Sequence, residues 1–192
     1  MIQEKRFKNK IQALIITPTR ELAIQINENI TDYAKYSNIK NAVIFGGVKQ
    51  GPQLHAVKNG IDILIATPGR LLDLINQGFI SLINIRYFVL DEADRMLDMG
   101  FEPQLNEILD FMPKQITDNT RPLPSSGKCN QYSRQTLLFS ATWPKSIRRI
   151  GAKFTHNPIQ LNVGNYKKLV VNEKIEQTIL ILNRRGKVRR KI

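Results

Sequence analysis

Short apolar runs alternate along the chain with stretches in which apolar residues recur every third or fourth position. ALII (13–16), AVIF (42–45), DILIA (62–66), RYFVL (86–90), TLLFS (136–140) and PIQLNV (158–163) read as strands. Between them, ELAIQINENITDYAKY sets Leu22, Ile26, Ile30 and Tyr33 on one helical face. A polar, helix-like stretch around Gln53–Lys58 follows the second run. GRLLDLINQG reads as a helix closed by Gly78, and ADRMLDM and PKSIRRIGAKF as two more. Strand then helix, repeated, predicts an α/β fold: a three-layer, mostly parallel sheet covered by helices. Ligands of such sheets gather at the carboxyl ends of the strands, so the chemistry should follow each run.

Composition narrows the field. With 192 residues, 42% hydrophobic and 23% charged, the chain suits one domain with a core and a piece of another. No run approaches the roughly 20 apolar residues of a membrane span, and MIQEKRFKNK lacks the apolar stretch of a signal peptide. The single cysteine, Cys129, excludes an internal disulfide framework and suits a reducing, intracellular setting, nucleus or cytoplasm. His55 and His156 stand apart from other soft ligands, which argues against zinc. Charge is uneven: residues 1–142 carry 16 basic and 14 acidic side chains, residues 143–192 carry 13 and 2. That imbalance points to a polyanion, nucleic acid first, with a solvated tail as the alternative for the last residues.

The strand ends carry distinctive residues. After RYFVL come Asp91, Glu92 and Asp94; one acid can hold Mg²⁺ while its neighbour, pointing the other way on a strand, orients a water. The alternative is a helix start whose acids favour the dipole. TPTR (17–20) and TPGR (67–70) each put Thr-Pro at a helix start, with Thr17 or Thr67 as cap, the proline in the first turn and an arginine, Arg20 or Arg70, two residues after it. Two such corners would make paired anion sites, or simply cap two helices. Gly46 and Gly47 after the second run allow a close backbone approach or a tight turn. Ser140 and Thr142 could hydrogen-bond Asp94 across neighbouring strand ends. Residues 115–133 read as a polar, mobile surface insertion. Their SSGK is no phosphate loop: G-x-x-x-x-G-K-[ST] needs glycine where Pro122 stands and Ser or Thr where Cys129 stands.

PTRELA (18–23), GG (46–47), TPGR (67–70), DEAD (91–94) and SAT (140–142) occur in the order and approximate spacing of the DEAD-box RNA helicases. The chain resembles that family, and VLDEADRMLDMGFEPQ and RQTLLFSATWPKSIRRIG resemble its eukaryotic SATWPK branch. The resemblance implies the first RecA-like domain, of P-loop NTPase type, and RNA-stimulated ATP hydrolysis coupled to local duplex unwinding. It implies that Asp91 coordinates Mg²⁺ through water, that Glu92 activates the water attacking the γ-phosphate, and that Asp94, Ser140 and Thr142 couple nucleotide to RNA. Pro18, Thr19, Arg20, Glu21, Gly46, Gly47, Thr67, Gly69 and Arg70 would face RNA, through its backbone and with little sequence specificity.

The match has gaps. The adenine-recognising glutamine motif and the Walker A loop should precede ALIITPTRELA, where twelve residues without glycine stand. The central strand feeding that loop would be missing with it, leaving an incomplete sheet, exposed edges and poor solubility. Residues 1–163 should then be a truncated ATP-binding domain, and 164–192 a linker and the start of the second RecA-like domain, with KIEQTILIL (174–182) entering its first strand. The expected parent activity is ATP-dependent RNA helicase, with this chain alone inactive. The alternative is a non-catalytic RNA-binding or partner-docking fragment, which missing helicase segments or protein partners would complete.

Overall fold

The computed structural model describes residues 11–112, 134–163, 181–182 and 188–189. The chain divides into two compact units, residues 1–157 and 158–192. The first unit is built on β1 (Ala13–Ile16), β2 (Asn41–Ile44), β3 (Ile63–Ala66), β4 (Tyr87–Leu90) and β5 (Gln135–Leu138), joined in one sheet of order β2-β3-β1-β4-β5. Every pairing is parallel, so the α/β expectation holds. The helices are α1 (Arg20–Ala34), α2 (Gln50–Lys58), α3 (Pro68–Asn76), α4 (Ala93–Asp98), α5 (Glu102–Asp110) and α6 (Lys145–Phe154).

Strand order dictates the layering. After β1 the chain moves toward the β2 end, whereas after β2, β3 and β4 it moves toward the β5 end. Right-handed crossovers therefore put α1 on one face and α2 to α5 on the other. Register sorts the side chains accordingly. Leu14, Leu64 and Phe88 stand side by side, as do Ile16, Ala66 and Leu90, and all six are buried with Leu71, Leu74, Met96, Leu105 and Ile108 from the helices. Phe88 lies between the Phe154 ring of α6, at 6.0 Å, and the Arg134 guanidinium, at 5.6 Å.

Several expectations need correction. Tyr33, in the last turn of α1, is 88% exposed rather than on the buried stripe of the helix, which packs mainly over β2 and β3. Residues 158–163 form no strand, although their alternation is strand-like. A strand exists only through a ladder, and no described strand pairs with this segment, whose Val163 is fully exposed. Helix α5 went unread: Pro103 in its first turn and Leu105 and Ile108 three apart were its signals. Gly78 does close α3, at φ 72°; its N–H donates to the Ile75 carbonyl and that of Phe79 to the Leu74 carbonyl, the pair of hydrogen bonds of a left-handed helix stop. In the second unit, β6 (Ile181–Leu182) and β7 (Val188–Arg189) pair antiparallel. The insertion at 115–133 and most of 164–192 lie outside the described residues. Among the described residues no helix is long and apolar enough to cross a membrane.

Candidate functional site

One parallel sheet puts all its strand exits on one rim. Backbone bonds carry the ladder just past the strands: the Thr17 N–H donates to Ala66 (3.0 Å), Thr67 to Ile44 (3.1 Å), Asp91 to Ile16 (3.0 Å) and Phe139 to Leu90 (2.8 Å). The TPTR and TPGR corners, the diglycine, the DEAD turn and the SAT segment therefore leave the sheet at the same level.

At the DEAD turn the two acids diverge, though not by strand alternation. The strand ends at Leu90, and Glu92 turns left-handed (φ 50°, ψ 50°) to enter α4. Outside glycine, Asn and Asp such a backbone costs about 1–2 kcal/mol, and strain of this kind collects where a side chain must be aimed. Asp91 Oδ1 accepts the Glu92 N–H at 3.0 Å, and Glu92 Oε2 accepts from Arg95 Nη1 at 3.2 Å. Burial pushes the Asp91 carboxyl above its ordinary range, against the Glu92 N–H, and the Glu92 charge adds to the rise. A half-sheltered carboxylate without a cation beside it suits Mg²⁺, which takes one or two carboxylates and fills its shell with water and phosphate.

Asp94 has the opposite surroundings. Its Oδ2 accepts from Thr142 Oγ1 at 2.8 Å and from the Thr142 N–H at 2.9 Å, while Oδ1 accepts the Arg95 N–H at 3.1 Å. Burial raises this carboxyl, but the bonds from Thr142 and Arg95, with a smaller contribution from Ser140, bring it below its ordinary value. Ser140 spends its hydroxyl on the Thr142 carbonyl, at 2.8 Å, and so shapes the turn that presents Thr142. Two elements far apart in sequence are thus tied at the rim through one carboxylate.

The two Thr-Pro corners differ. Thr67 caps α3 by backbone geometry, without a side-chain bond, and Pro68 opens its first turn as expected. At the other corner Thr17, just past β1, is buried, its hydroxyl donating to the Thr19 carbonyl (3.1 Å), so Pro18 precedes the helix and Thr19 caps it, accepting the Leu22 N–H at 3.3 Å. Arg20 pairs with Glu21 at 2.9 Å in solvent, holding the Glu21 carboxyl below its ordinary value. Arg70 donates to Gln53 Oε1 (3.0 Å) and to the Val48 carbonyl (2.9 Å). Gly46, Gly47 and Gly69 are exposed, and a Cβ at any of them would meet nothing within 4 Å; of the three only Gly47 is held to glycine by its backbone, at φ 81°. Gln53 and Arg95 entered the site from outside the motifs, Arg95 with the one local signal, its i,i+3 spacing from Glu92.

A model of the DEAD/DEAH box helicase family matches residues 1–150. DEAD-box ATP-dependent RNA helicase 46 of Arabidopsis thaliana is 46% identical over 169 residues, covering 88% of this chain and 23% of its own length. ATP-dependent RNA helicase DBP2 of Chaetomium thermophilum is 44% identical over 170 residues, covering 88% and 27%. DEAD-box ATP-dependent RNA helicase 40 of Oryza sativa subsp. japonica is 40% identical over 190 residues, covering 97% and 22%. The chain spans about a quarter of the length of these curated relatives.

Proposed function

The chain belongs to the DEAD/DEAH box helicase family, and on that premise we propose that it serves an ATP-dependent RNA helicase, coupling RNA-stimulated ATP hydrolysis to local opening of a duplex. The observation that carries this reading is the Asp94–Thr142 tie, with bonds of 2.8 and 2.9 Å joining the acidic turn to the SAT segment. In this reading Glu92 orients and deprotonates the water that attacks the γ-phosphate. Asp91 would hold Mg²⁺ through water, and the ion, when bound, neutralises phosphate charge. Asp94, Ser140 and Thr142 couple that chemistry to the RNA edge of Pro18, Thr19, Arg20, Glu21, Gly46, Gly47, Thr67, Gly69 and Arg70. Residues 1–163 correspond to part of the ATP-binding domain, and 164–192 to the linker and the beginning of the second RecA-like domain.

The 192 residues contain no G-x-x-x-x-G-K-[ST] run. Phosphoryl transfer depends on positioned charge, so this polypeptide by itself should not turn over ATP. A second reading, a non-catalytic RNA-binding or partner-docking piece, is favoured by β5, the outermost strand of the sheet among the described residues, where Leu137 is 40% exposed, with Phe139 just beyond it at 55%. Equilibrium titration with ATP, alone and with a separate segment carrying a Walker loop, tests both. The helicase reading expects binding only with that segment, and RNA-stimulated hydrolysis that Glu92→Gln abolishes. A segment that docks without conferring ATP binding would favour the second reading, and turnover by the chain alone would overturn the proposed inactivity.

A further inference from the structure

We propose that Gln53 is a positioning residue for the RNA edge, and that Arg70 serves that edge by holding the diglycine loop rather than by touching phosphate. The inference rests on the RNA-binding reading above.

Beyond Ile44 the ladder of β2 stops, and the Gln53 side chain takes the place of the next strand. Its Nε2 donates to the Phe45 carbonyl at 3.2 Å and its Oε1 accepts the Phe45 N–H at 3.4 Å. The same Oε1 accepts Arg70 Nη1, while Arg70 Nη2 reaches the Val48 carbonyl. Residues 45–48 are therefore held at both ends, by α2 and by α3, with Gly46 and Gly47 exposed between the two holds. Two consecutive glycines would otherwise leave this loop a broad choice of conformations, and a clasp that orders it beforehand lowers the entropy lost on binding. The guanidinium fork that suits a phosphate is already committed to two protein acceptors. Arg20, paired only with solvent-exposed Glu21, is the arginine free to exchange its partner for a phosphate.

The test is fluorescence anisotropy of a labelled single-stranded oligouridine RNA titrated with the full chain over a series of KCl concentrations. Gln53→Ala and Arg70→Ala should each weaken binding about fivefold, as expected for lost loop hydrogen bonds, and the double variant should be no worse than the single ones. Neither should change the slope of log K against log salt, whereas Arg20→Ala should reduce it by about 0.7. Arg70→Lys should fail like Arg70→Ala, because an ammonium cannot span both acceptors. Wild-type affinity in Arg70→Lys, or a slope reduced by Arg70→Ala, would make Arg70 a phosphate contact and overturn the proposal. Amide exchange supplies a readout independent of RNA: residues 46–48 should exchange faster in both alanine variants while β1 and β3 keep their protection. Unchanged loop exchange sinks the clasp itself. Absence of RNA binding by the unsubstituted chain sinks the RNA-edge reading and the positioning role together, whatever the exchange shows.

Discussion

On one face of the sheet Leu14, Leu64, Phe88 and Leu90 are sealed beneath helices, whereas on the other cover is complete at β3, partial on β2, β1 and β4, and lost at β5. In the row Val43, Ile65, Ile15, Val89, Leu137, Ile65 is fully buried, Val43, Ile15 and Val89 are half-buried, and Leu137 is exposed. The backbone is equally regular on both sides; what differs is that α1 packs mainly over β2 and β3. Strand pairing and face burial are therefore separate contributions. A sheet can keep its ladder, and the rim that ladder aligns, while one flank has the composition of a surface awaiting cover.

The largest test of that contrast compares adjacent residues of β4. Phe88→Ala removes a ring packed between Phe154 and Arg134 and should cost about 3–5 kcal/mol. Val89→Ala, facing the thinner side, should cost about 1 kcal/mol, half the transfer energy of two methyl groups. Urea unfolding followed by Trp143 fluorescence measures both. Equal losses would mean that the second face is as well packed as the first.

That contrast also marks what could be read in the sequence. All five strands of the sheet were legible because each is an apolar run bounded by polar or turn residues. The common rim followed, since a parallel sheet exits every strand on one side. Burial on the α1 face was not legible, because ALII or YFVL has the same text whether one flank is covered or both. PIQLNV shows the converse: its alternation is that of a strand, yet pairing depends on a neighbour that no local pattern specifies. Leu22, Ile26 and Ile30 read correctly as an inward stripe, but Tyr33 continued it past the end of the sheet. Of the site, the motif residues were legible from type and spacing. Gln53 was not, because its bonds to Phe45 and Arg70 depend on how α2 lies against β2.

A lysine at each end of the thinner face sharpens the comparison at smaller cost. Val43→Lys must force a charge beneath α1 and should lose about 1–2 kcal/mol. Leu137→Lys adds a charge to an exposed position on β5, the outermost strand among the described residues; it should leave stability within about 0.5 kcal/mol and slow aggregation, seen as a lower rate of light scattering. If the two lysines destabilise alike, β5 is covered by something the sheet order does not show.

Next in size is the rim tie. Thr142→Val deletes the hydroxyl donor to Asp94 and keeps the N–H donor, for a loss of about 1 kcal/mol. Carboxyl carbon shifts followed by NMR should show Asp94 titrating at higher pH in the variant. An unmoved titration would mean that the Thr142 hydroxyl contributes nothing to the charged form.

The smallest effects come from the acids themselves, where the sheltered-versus-partnered contrast recurs within four residues. Asp94 titrates low in the folded chain, so its contribution to stability is present above the ordinary carboxyl range near pH 4 and disappears as pH falls through the folded value. Asp91 titrates high; its contribution is complete below that range and is lost as pH rises through the folded value, so at neutral pH its charge works against folding. Asp94→Asn should therefore destabilise at pH 7 and Asp91→Asn should stabilise, each by less than about 1 kcal/mol because both carboxyls remain partly exposed to solvent. Both differences should shrink toward pH 3 in parallel unfolding series. Two changes of the same sign at pH 7 would mean that the environments of Asp91 and Asp94 are not opposed. The separation between a carboxylate raised by burial and one lowered by its hydrogen bonds would then fail.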